Sequence, residues 1–270
     1  MAVVYAVSAN KGGVGKTSFV SNIATAIVQK QPKARVLIID TDPQGNASMA
    51  FGKVPAQYER TIYDVLVEGL SMNDVKVPLM DRLDIVPANK EMATLVFDVL
   101  ADVETYRRPL YLLKAPLDAV RDQYDYIFID TPPDMGLIAG NVFAAADRVI
   151  IPFEPETFAV AGIIQVIEVV EDFQQKHRPE LVIDGIVAMK VDSRTTLHSE
   201  MLPKARKYCI EHGLHMYETV ISKSIRFANA TAYEGQPAVL ADPGNHLVKS
   251  YYDILEEVLA HGKAQAQIVS

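Results

Sequence analysis

The chain has 270 residues, of which 49% are hydrophobic and 22% charged, and its net charge is −8. This apolar content excludes a disordered chain, and the acidic balance excludes a protein that is basic over its whole surface. No apolar run reaches the roughly 20 residues of a membrane-spanning helix, and the single cysteine, Cys209, excludes an intrachain disulfide. Because the N-terminus also lacks the layout of a signal peptide, we expect a cytoplasmic globular protein.

Short apolar runs alternate with longer amphipathic stretches along the chain. Several runs, including 36–39 and 127–129, are apolar at consecutive positions, which is typical of parallel strands covered by helices on both faces. The pattern predicts strands over 3–9, 36–41, 83–87, 126–130, 149–152 and 183–189. It predicts helices over 17–30, 91–103, 138–146, 160–175, 197–212 and 245–261. This alternation predicts an α/β fold with a doubly wound, mostly parallel sheet flanked by helices.

The chain shows no repeat, low-complexity tract or linker that would divide it. We therefore predict a single domain over 1–262, followed by a frayed tail over 263–270. The stretch 51–82 has weak periodicity, and we interpret it as an elaboration on the surface.

A glycine-rich run lies between the first predicted strand and the first predicted helix: Asn10-Lys11-Gly12-Gly13-Val14-Gly15-Lys16-Thr17. Glycines let a backbone curl so that its N–H groups face phosphate oxygens, and the following helix N-terminus adds positive potential. In such a loop, Lys16 reaches the β- and γ-phosphates and the Thr17 hydroxyl binds Mg²⁺. The alternative is an ordinary glycine turn. The context favours a P-loop that binds a nucleoside triphosphate.

Two further strand ends carry carboxylates. The second strand ends in Asp40-Thr41-Asp42-Pro43-Gln44-Gly45-Asn46, whose two acids project to the same side. Like charges this close require a mediating cation or water, unless the aspartates simply cap a turn. Asp130 ends the apolar run 126–130 and is placed to hold Mg²⁺ through a water, as triphosphate hydrolysis requires.

The glycine-rich run departs from the usual P-loop pattern, with Asn10 in the first glycine position and an extra lysine, Lys11. This arrangement resembles the deviant Walker A box of the ParA/MinD family of ATPases, which the runs 40–46, 130–133 and 144–152 also match. The resemblance implies ATP and Mg²⁺ as cofactors and an ATP-bound homodimer in which Lys11 reaches the partner's phosphates. It also implies that Asp42 orients the hydrolytic water while Asp40 supports the metal shell.

These arguments together predict three sets of site residues. The ATP-binding set is Lys11, Gly12, Gly13, Val14, Gly15, Lys16, Thr17 and Ser18. The catalytic set is Lys11, Lys16 and Asp42. The metal-binding set is Thr17, Asp40 and Asp130.

Several branches of this family are disfavoured by the sequence. A lone Cys209 argues against relatives that bind iron–sulfur clusters or use cysteine sites, and a small buried side chain is the plainer interpretation. The predicted helix 245–261 carries acids opposite its apolar stripe, which an anionic membrane would repel, so we predict a core helix and no membrane docking. The partition ATPases remain.

The segment 190–226 has seven Lys and Arg against four Asp and Glu, so it is basic within an acidic chain. A local basic face suffices for DNA binding without sequence preference. The run 220–226 is similar to a DNA-contacting I-P-R-x-x-R segment of ParA-type proteins, with Ser222 and Lys223 as departures. The candidate DNA contacts are Lys204, Lys207, Lys223 and Arg226.

The resemblance therefore implies a ParA-type ATPase for plasmid or chromosome partition, associated with the nucleoid. Its slow hydrolysis would be stimulated by a ParB-like centromere-binding partner. The alternatives are an ATPase that positions protein or organelle cargo, a MinD-like membrane-site selector, and a metabolic ligase or kinase of the same superfamily. Lys11 argues against the last of these.

Overall fold

The computed structural model describes residues 1–262, without the side chains of residues 228, 230 and 232, and traces the backbone alone over 263–269. The predicted frayed tail, 263–270, lies outside the residues so described. The strands are β1 Val3–Val7, β2 Val36–Asp40, β3 Val77–Met80, β4 Leu83–Val86, β5 Tyr126–Asp130, β6 Arg148–Phe153 and β7 Val182–Ala188.

The helices surround these strands in sequence and range from one turn to about six. They are α1 Lys16–Lys30, α2 Asn46–Met49, α3 Ile62–Val67, α4 Met72–Val75, α5 Leu95–Ala101, α6 Lys114–Asp118, α7 Leu137–Ala145, α8 Ala159–Lys176, α9 Thr196–Glu211, α10 Ile225–Asn229, α11 Ala238–Ala241 and α12 Lys249–Val269. Among the described residues, no helix combines the length and the apolarity that crossing a bilayer requires.

Within the described chain, seven strands form a single sheet in the order β3-β4-β2-β5-β1-β6-β7. All neighbouring pairs are parallel except β3 and β4, which are antiparallel. The predicted fold class is confirmed, and the six predicted strands lie within two residues of observed ones. Strand β3 was not predicted because a short edge strand containing Pro78 lacks the apolar pattern of a buried strand.

Helices cover both faces of the sheet, and successive strand residues face opposite layers. In β2, Leu37 and Ile39 belong to one apolar cluster, whereas Ile38 belongs to the cluster on the other face. The second cluster is closed by α1 and α12, whose buried residues include Phe19 and Tyr251. The predicted core packing of the C-terminal helix is thus confirmed for the described side chains.

The segment 51–82, predicted as surface elaboration, is partly core, and that prediction was wrong. Helices α3 and α4 bury Ile62, Val65, Leu66, Met72 and Val75 in the first apolar cluster. Helices of four to six residues complete fewer than two turns, so their sequences cannot display a 3.6-residue period. A local sequence feature nevertheless marks the start of α3.

That local signal is a capping box at the start of α3. The Thr61 side chain accepts a hydrogen bond from the Tyr63 amide, and the Asp64 carboxylate accepts one from the Thr61 amide at 2.6 Å. Thr-x-x-Asp before an apolar run marks a helix N-terminus.

Because Ile62 is fully buried, Ile62→Ala should destabilise the protein by about 2–4 kcal/mol through lost burial and a residual cavity. Val54, in the same segment, is 50% exposed, so the control Val54→Ala should change stability by about 0.5 kcal/mol or less. Urea unfolding measures both changes. Equal, small effects of the two substitutions would show that this segment does not belong to the core.

Candidate nucleotide site

The carboxyl ends of three neighbouring strands meet at the predicted site. Strand β5 lies between β2 and β1, and the register pairs Asp130 with Asp40 on one side and with Val7 on the other. The glycine-rich loop begins three residues after Val7, so the loop and both carboxylates share one sheet edge. This edge is where α/β sheets bind their ligands.

The loop between β1 and α1 curls because two glycines adopt the left-handed conformation. Gly13 has a φ of 79° and Gly15 a φ of 102°. The Gly15 carbonyl accepts a hydrogen bond from the Phe19 amide at 2.8 Å, so α1 begins directly after the loop. A Cβ on Gly15 would also lie 3.1 Å from Met189 Cε. The loop therefore leads into a helix N-terminus, which attracts anions.

Lys16, at the start of α1, is a buried cation. It is 7% exposed, and its Nζ lies 3.3 Å from the carbonyl oxygen of Lys11. Burial lowers the pKa of Lys16, while the nearby Asp130 and Asp42 carboxylates act to raise it. Phosphate oxygens are stronger acceptors for an ammonium group than a backbone carbonyl is. The loop thus encloses a positive charge that a polyphosphate would stabilise.

Lys11, the second predicted lysine, points elsewhere. Its side chain is 61% exposed and forms an ion pair with Glu156, in the connection between β6 and α8. The hydrogen bond with Glu156 raises the pKa of Lys11 and lowers that of Glu156. Both residues line a cavity of about 400 Å³ beside the loop. The two lysine ammonium groups therefore do not converge within one chain.

Thr17 and Asp130 meet at the metal position that the sequence predicts. The Thr17 hydroxyl donates to Asp130 Oδ2 at 2.6 Å, whereas the buried Oδ1 accepts no hydrogen bond from any described residue. Burial raises the pKa of Asp130 to about 7. A hydroxyl beside a carboxylate with a spare oxygen fits Mg²⁺, which prefers oxygen ligands.

Within the described part of the chain, no group of three or more His, Cys, Asp or Glu side chains is arranged to hold a metal ion. Mg²⁺ would therefore take most of its ligands from phosphate oxygens and water, its usual manner of binding in nucleotide sites. The predicted metal residues fit a metal that arrives with the nucleotide.

Asp40 is fully buried, and both of its carboxylate oxygens accept backbone hydrogen bonds. Oδ1 accepts from the Asp42 amide and Oδ2 from the Ala47 amide, each at 3.0 Å. Burial, followed by the neighbouring Asp130, raises the pKa of Asp40 well above its usual range. These contacts hold the 42–47 loop in place. The metal-shell role of Asp40 stays a prediction.

Asp42 lies on the same loop, half-exposed at the site. Its Oδ1 accepts a hydrogen bond from the Gln44 amide at 2.9 Å, and its charge affects the pKa values of both Lys16 and Asp130. Gly45 closes the loop at a φ of 65°, where a Cβ would come within 2.5 Å of Pro55. The loop shape therefore requires glycine at position 45. It keeps Asp42 near Lys16, the predicted phosphate-binding residue, and Asp130, a predicted metal-binding residue.

Ser18, also predicted to bind ATP, turns its side chain away from the loop. The Ser18 and Tyr251 hydroxyl groups lie 3.1 Å apart, which ties α1 to α12. Any contact of Ser18 with a nucleotide would therefore come from its backbone amide. The prediction that Ser18 binds ATP therefore concerns its backbone amide and not its hydroxyl group.

Lys190 is a site residue that the sequence did not reveal. It follows β7, its Nζ donates a hydrogen bond to the Gly13 carbonyl of the loop, and its φ is 54°. The available signal was the run Met189-Lys190-Val191-Asp192-Ser193-Arg194, which resembles a family stretch, M-x-D-x-R, near the nucleotide base. That resemblance assigns no individual contact to Lys190.

The four candidate DNA contacts differ in their surroundings. Lys204 and Lys207 are exposed on α9, and Lys207 lies 3.7 Å from Glu211. Lys223 is exposed, and it follows Ser222, which forms an isolated β-bridge with Val191. Arg226 forms an ion pair with Glu234 and lies 3.6 Å from Asp242. The three lysines are accessible, whereas Arg226 is engaged by acids; all four assignments stay predictions.

The protein without nucleotide and metal should gain stability when Asp130 is replaced by asparagine, and this gain should grow with pH. The folded-state pKa of Asp130 is about 7, whereas an aspartate in an unfolded chain titrates near pH 4. A carboxyl whose pKa is raised by folding destabilises the folded state increasingly as pH rises toward about 7. We expect Asp130→Asn to gain about 1 kcal/mol more over wild type at pH 8 than at pH 6.

Urea unfolding in the presence of a metal chelator measures this difference. A gain that is the same at both pH values would contradict the raised pKa, because it would come from packing alone. A loss of stability at pH 8 would contradict the account of an unsatisfied buried carboxylate.

Comparison with known proteins agrees with this geometry. The family described as "AAA domain" matches residues 2–183. The sporulation initiation inhibitor protein Soj of Bacillus subtilis is 34% identical over 263 residues, which cover 97% of this chain and 100% of that protein. The chromosome partitioning protein ParA of Caulobacter vibrioides is 32% identical over 260 residues, and this match covers 95% of this chain and 94% of that protein.

A solved structure extends the comparison to nucleotide-bound proteins. Cobyrinic acid a,c-diamide synthase from Mycobacterium smegmatis, with a bound ATP analogue and magnesium, has a TM-score of 0.84 at 27% identity. The match covers 98% of this chain and 97% of that one. The fold, the loop geometry and the sequence relatives agree, and the chain belongs to the ParA/MinD-type family of P-loop ATPases.

Proposed function

We propose that this protein is a partition ATPase that couples ATP binding to dimerisation and DNA binding. One observation carries the proposal: a buried Lys16 and the Thr17–Asp130 pair lie at one loop, while Lys11 of the same loop faces outward. The relative named chromosome partitioning protein ParA supports the biological role.

In the proposed reaction, each residue has a separate task. Lys16 would bind the β- and γ-phosphates, and Thr17 with Asp130 would hold Mg²⁺, which supplies positive charge to the phosphate oxygens. Asp42 would orient the attacking water, and Asp40 would keep the Asp42 loop in position through its two backbone hydrogen bonds. Because one carboxylate alone orders the water, basal hydrolysis should be slow.

Lys11 would act in the partner subunit of an ATP-bound homodimer. In the isolated chain its ammonium group pairs with Glu156 at the wall of the cavity beside the loop. A triphosphate presented by a second copy would compete with this exposed ion pair, which contributes little to stability. Dimerisation would then add a second lysine to each nucleotide.

DNA binding would follow from the exposed lysines of the segment 190–226. Lys204, Lys207 and Lys223 are accessible there, and lysines bind phosphates without reading sequence. Arg226 would join them only after leaving Glu234. A ParB-like centromere-binding protein would stimulate hydrolysis and so release the protein from the nucleoid. We therefore propose that the ATP-bound protein is cytoplasmic and associated with the nucleoid.

Two other functions remain as alternatives, and a DNA-binding measurement tests the second of them. Cargo other than DNA would use the same switch, with nucleoid DNA as the track. A synthase reaction, the activity in the name of the Mycobacterium smegmatis neighbour, would need no DNA binding. ATP-dependent DNA binding therefore distinguishes a partition-type switch from a metabolic enzyme.

The deciding experiment is a salt titration of binding to a non-specific DNA duplex, with ATP and with ADP. We expect tight binding with ATP only, at least tenfold weaker binding for the double variant Lys204→Glu, Lys207→Glu, and a shallower salt dependence because fewer counterions are released. Lys249→Glu is the matched control for the single variant Lys207→Glu, since Lys249 is 78% exposed and lies 3.7 Å from Asp253. Lys207 is 75% exposed, with its own acid at the same distance.

Equal DNA affinity with ATP and ADP would contradict the switch. Equal weakening by Lys207→Glu alone and by Lys249→Glu would show that total charge, and not this face, determines binding.

A further inference from the structure

Lys190 combines an uncommon backbone conformation with a contact to the phosphate loop. Its φ of 54° lies in the left-handed region, which a non-glycine residue seldom adopts, and its ammonium group reaches the Gly13 carbonyl. Residues held in such conformations gather at functional sites, where the surrounding structure enforces them.

Backbone hydrogen bonds on both sides of β7 hold the turn at Lys190. Before it, the Met189 amide donates to the Phe153 carbonyl at 2.8 Å, at the end of β6. After it, the Val191 amide donates to the Ile221 carbonyl at 2.9 Å, on the other side of β7. The Met189 and Val191 amides, two residues apart, thus face opposite sides of β7, and the turn at Lys190 accommodates this reversal.

The turn brings two consecutive side chains onto the phosphate loop. Met189 packs where a Cβ on Gly15 would be only 3.1 Å away, and Lys190 binds the Gly13 carbonyl. The two contacts brace the loop at the positions whose positive φ values create its curl.

Holding the Gly13 carbonyl also fixes an amide. The Gly13 C=O and the Val14 N–H belong to one planar trans peptide, in which they point in opposite directions. An ammonium group on the carbonyl therefore aims the Val14 N–H away from Lys190, and the positive charge polarises that peptide group. Val14 is one of the predicted ATP-binding residues.

We propose that Lys190 is a positioning residue of the nucleotide site, which sets the Val14 amide toward the nucleotide phosphates through the Gly13 carbonyl. Lys190 is then a third lysine of the loop region, beside Lys11 and Lys16, and the one supplied by a distant strand. The inference rests on the proposed nucleotide site, and it is independent of DNA binding and of any partition partner.

The test is calorimetric titration of the full chain with Mg²⁺–ADP, together with thermal unfolding of each variant without nucleotide. Lys190→Met keeps the length and the strained backbone but removes the charge, and we expect its ADP affinity to fall about tenfold. Lys190→Gly suits the left-handed conformation, so it should melt no lower than wild type while losing ADP affinity to the same extent. Lys190→Arg should restore affinity to within about threefold of wild type, since it again offers a cationic donor.

The control is Lys249→Met, which removes an exposed lysine of α12 and should leave ADP affinity unchanged. If Lys190→Met binds ADP as tightly as wild type does, the inference on Lys190 is wrong, whereas the proposed nucleotide site is unaffected. Wild-type affinity in Lys190→Gly but not in Lys190→Met would also overturn it, because the backbone and not the ammonium group would then matter. Failure of the wild-type chain to bind ADP would overturn the proposed nucleotide site itself, and this inference with it.

Discussion

The structure depends on burying charges of both signs at one edge of a parallel sheet without pairing them directly. Lys16 has a backbone carbonyl as its partner, and Asp130 uses one carboxylate oxygen while the other accepts no hydrogen bond from a described residue. Buried charges are costly unless they are paired. The strand register places Asp130 beside Asp40 and Val7, which brings the buried charges to one sheet edge. The helices packed on both faces of the sheet bury this edge arrangement from solvent.

Such an arrangement favours a ligand that carries both signs of charge. A nucleotide polyphosphate with Mg²⁺ presents anionic oxygens to Lys16 and a cation to Asp130, so binding would relieve both costs at once. Asp40 differs in its contacts, because both of its carboxylate oxygens already accept backbone hydrogen bonds, although burial still raises its pKa. These hydrogen bonds hold the loop that carries Asp42. Lys16 and Asp130 therefore lack partners that a ligand would supply, whereas Asp40 positions the loop.

The parts of the fold that were predictable are those with a local signature. Consecutive apolar residues gave the parallel strands, and glycines with a following lysine and threonine gave the phosphate loop, because each pattern reflects a backbone requirement. The short helices α3 and α4 and the edge strand β3 lack enough residues for a period to appear. Contacts between distant segments were also not predictable, including those of Lys11 with Glu156 and of Lys190 with Gly13.

The central claim is that two lysines of one loop serve two different nucleotides in a dimer. Light scattering with Mg²⁺–ATP of Asp42→Ala, which we expect to bind ATP without hydrolysing it, tests this claim most directly, with and without the additional change Lys11→Ala. The account predicts twice the monomer mass for Asp42→Ala, and the monomer mass for the double variant while it still binds ATP. A double variant that dimerises at the same protein and ATP concentrations would contradict the account.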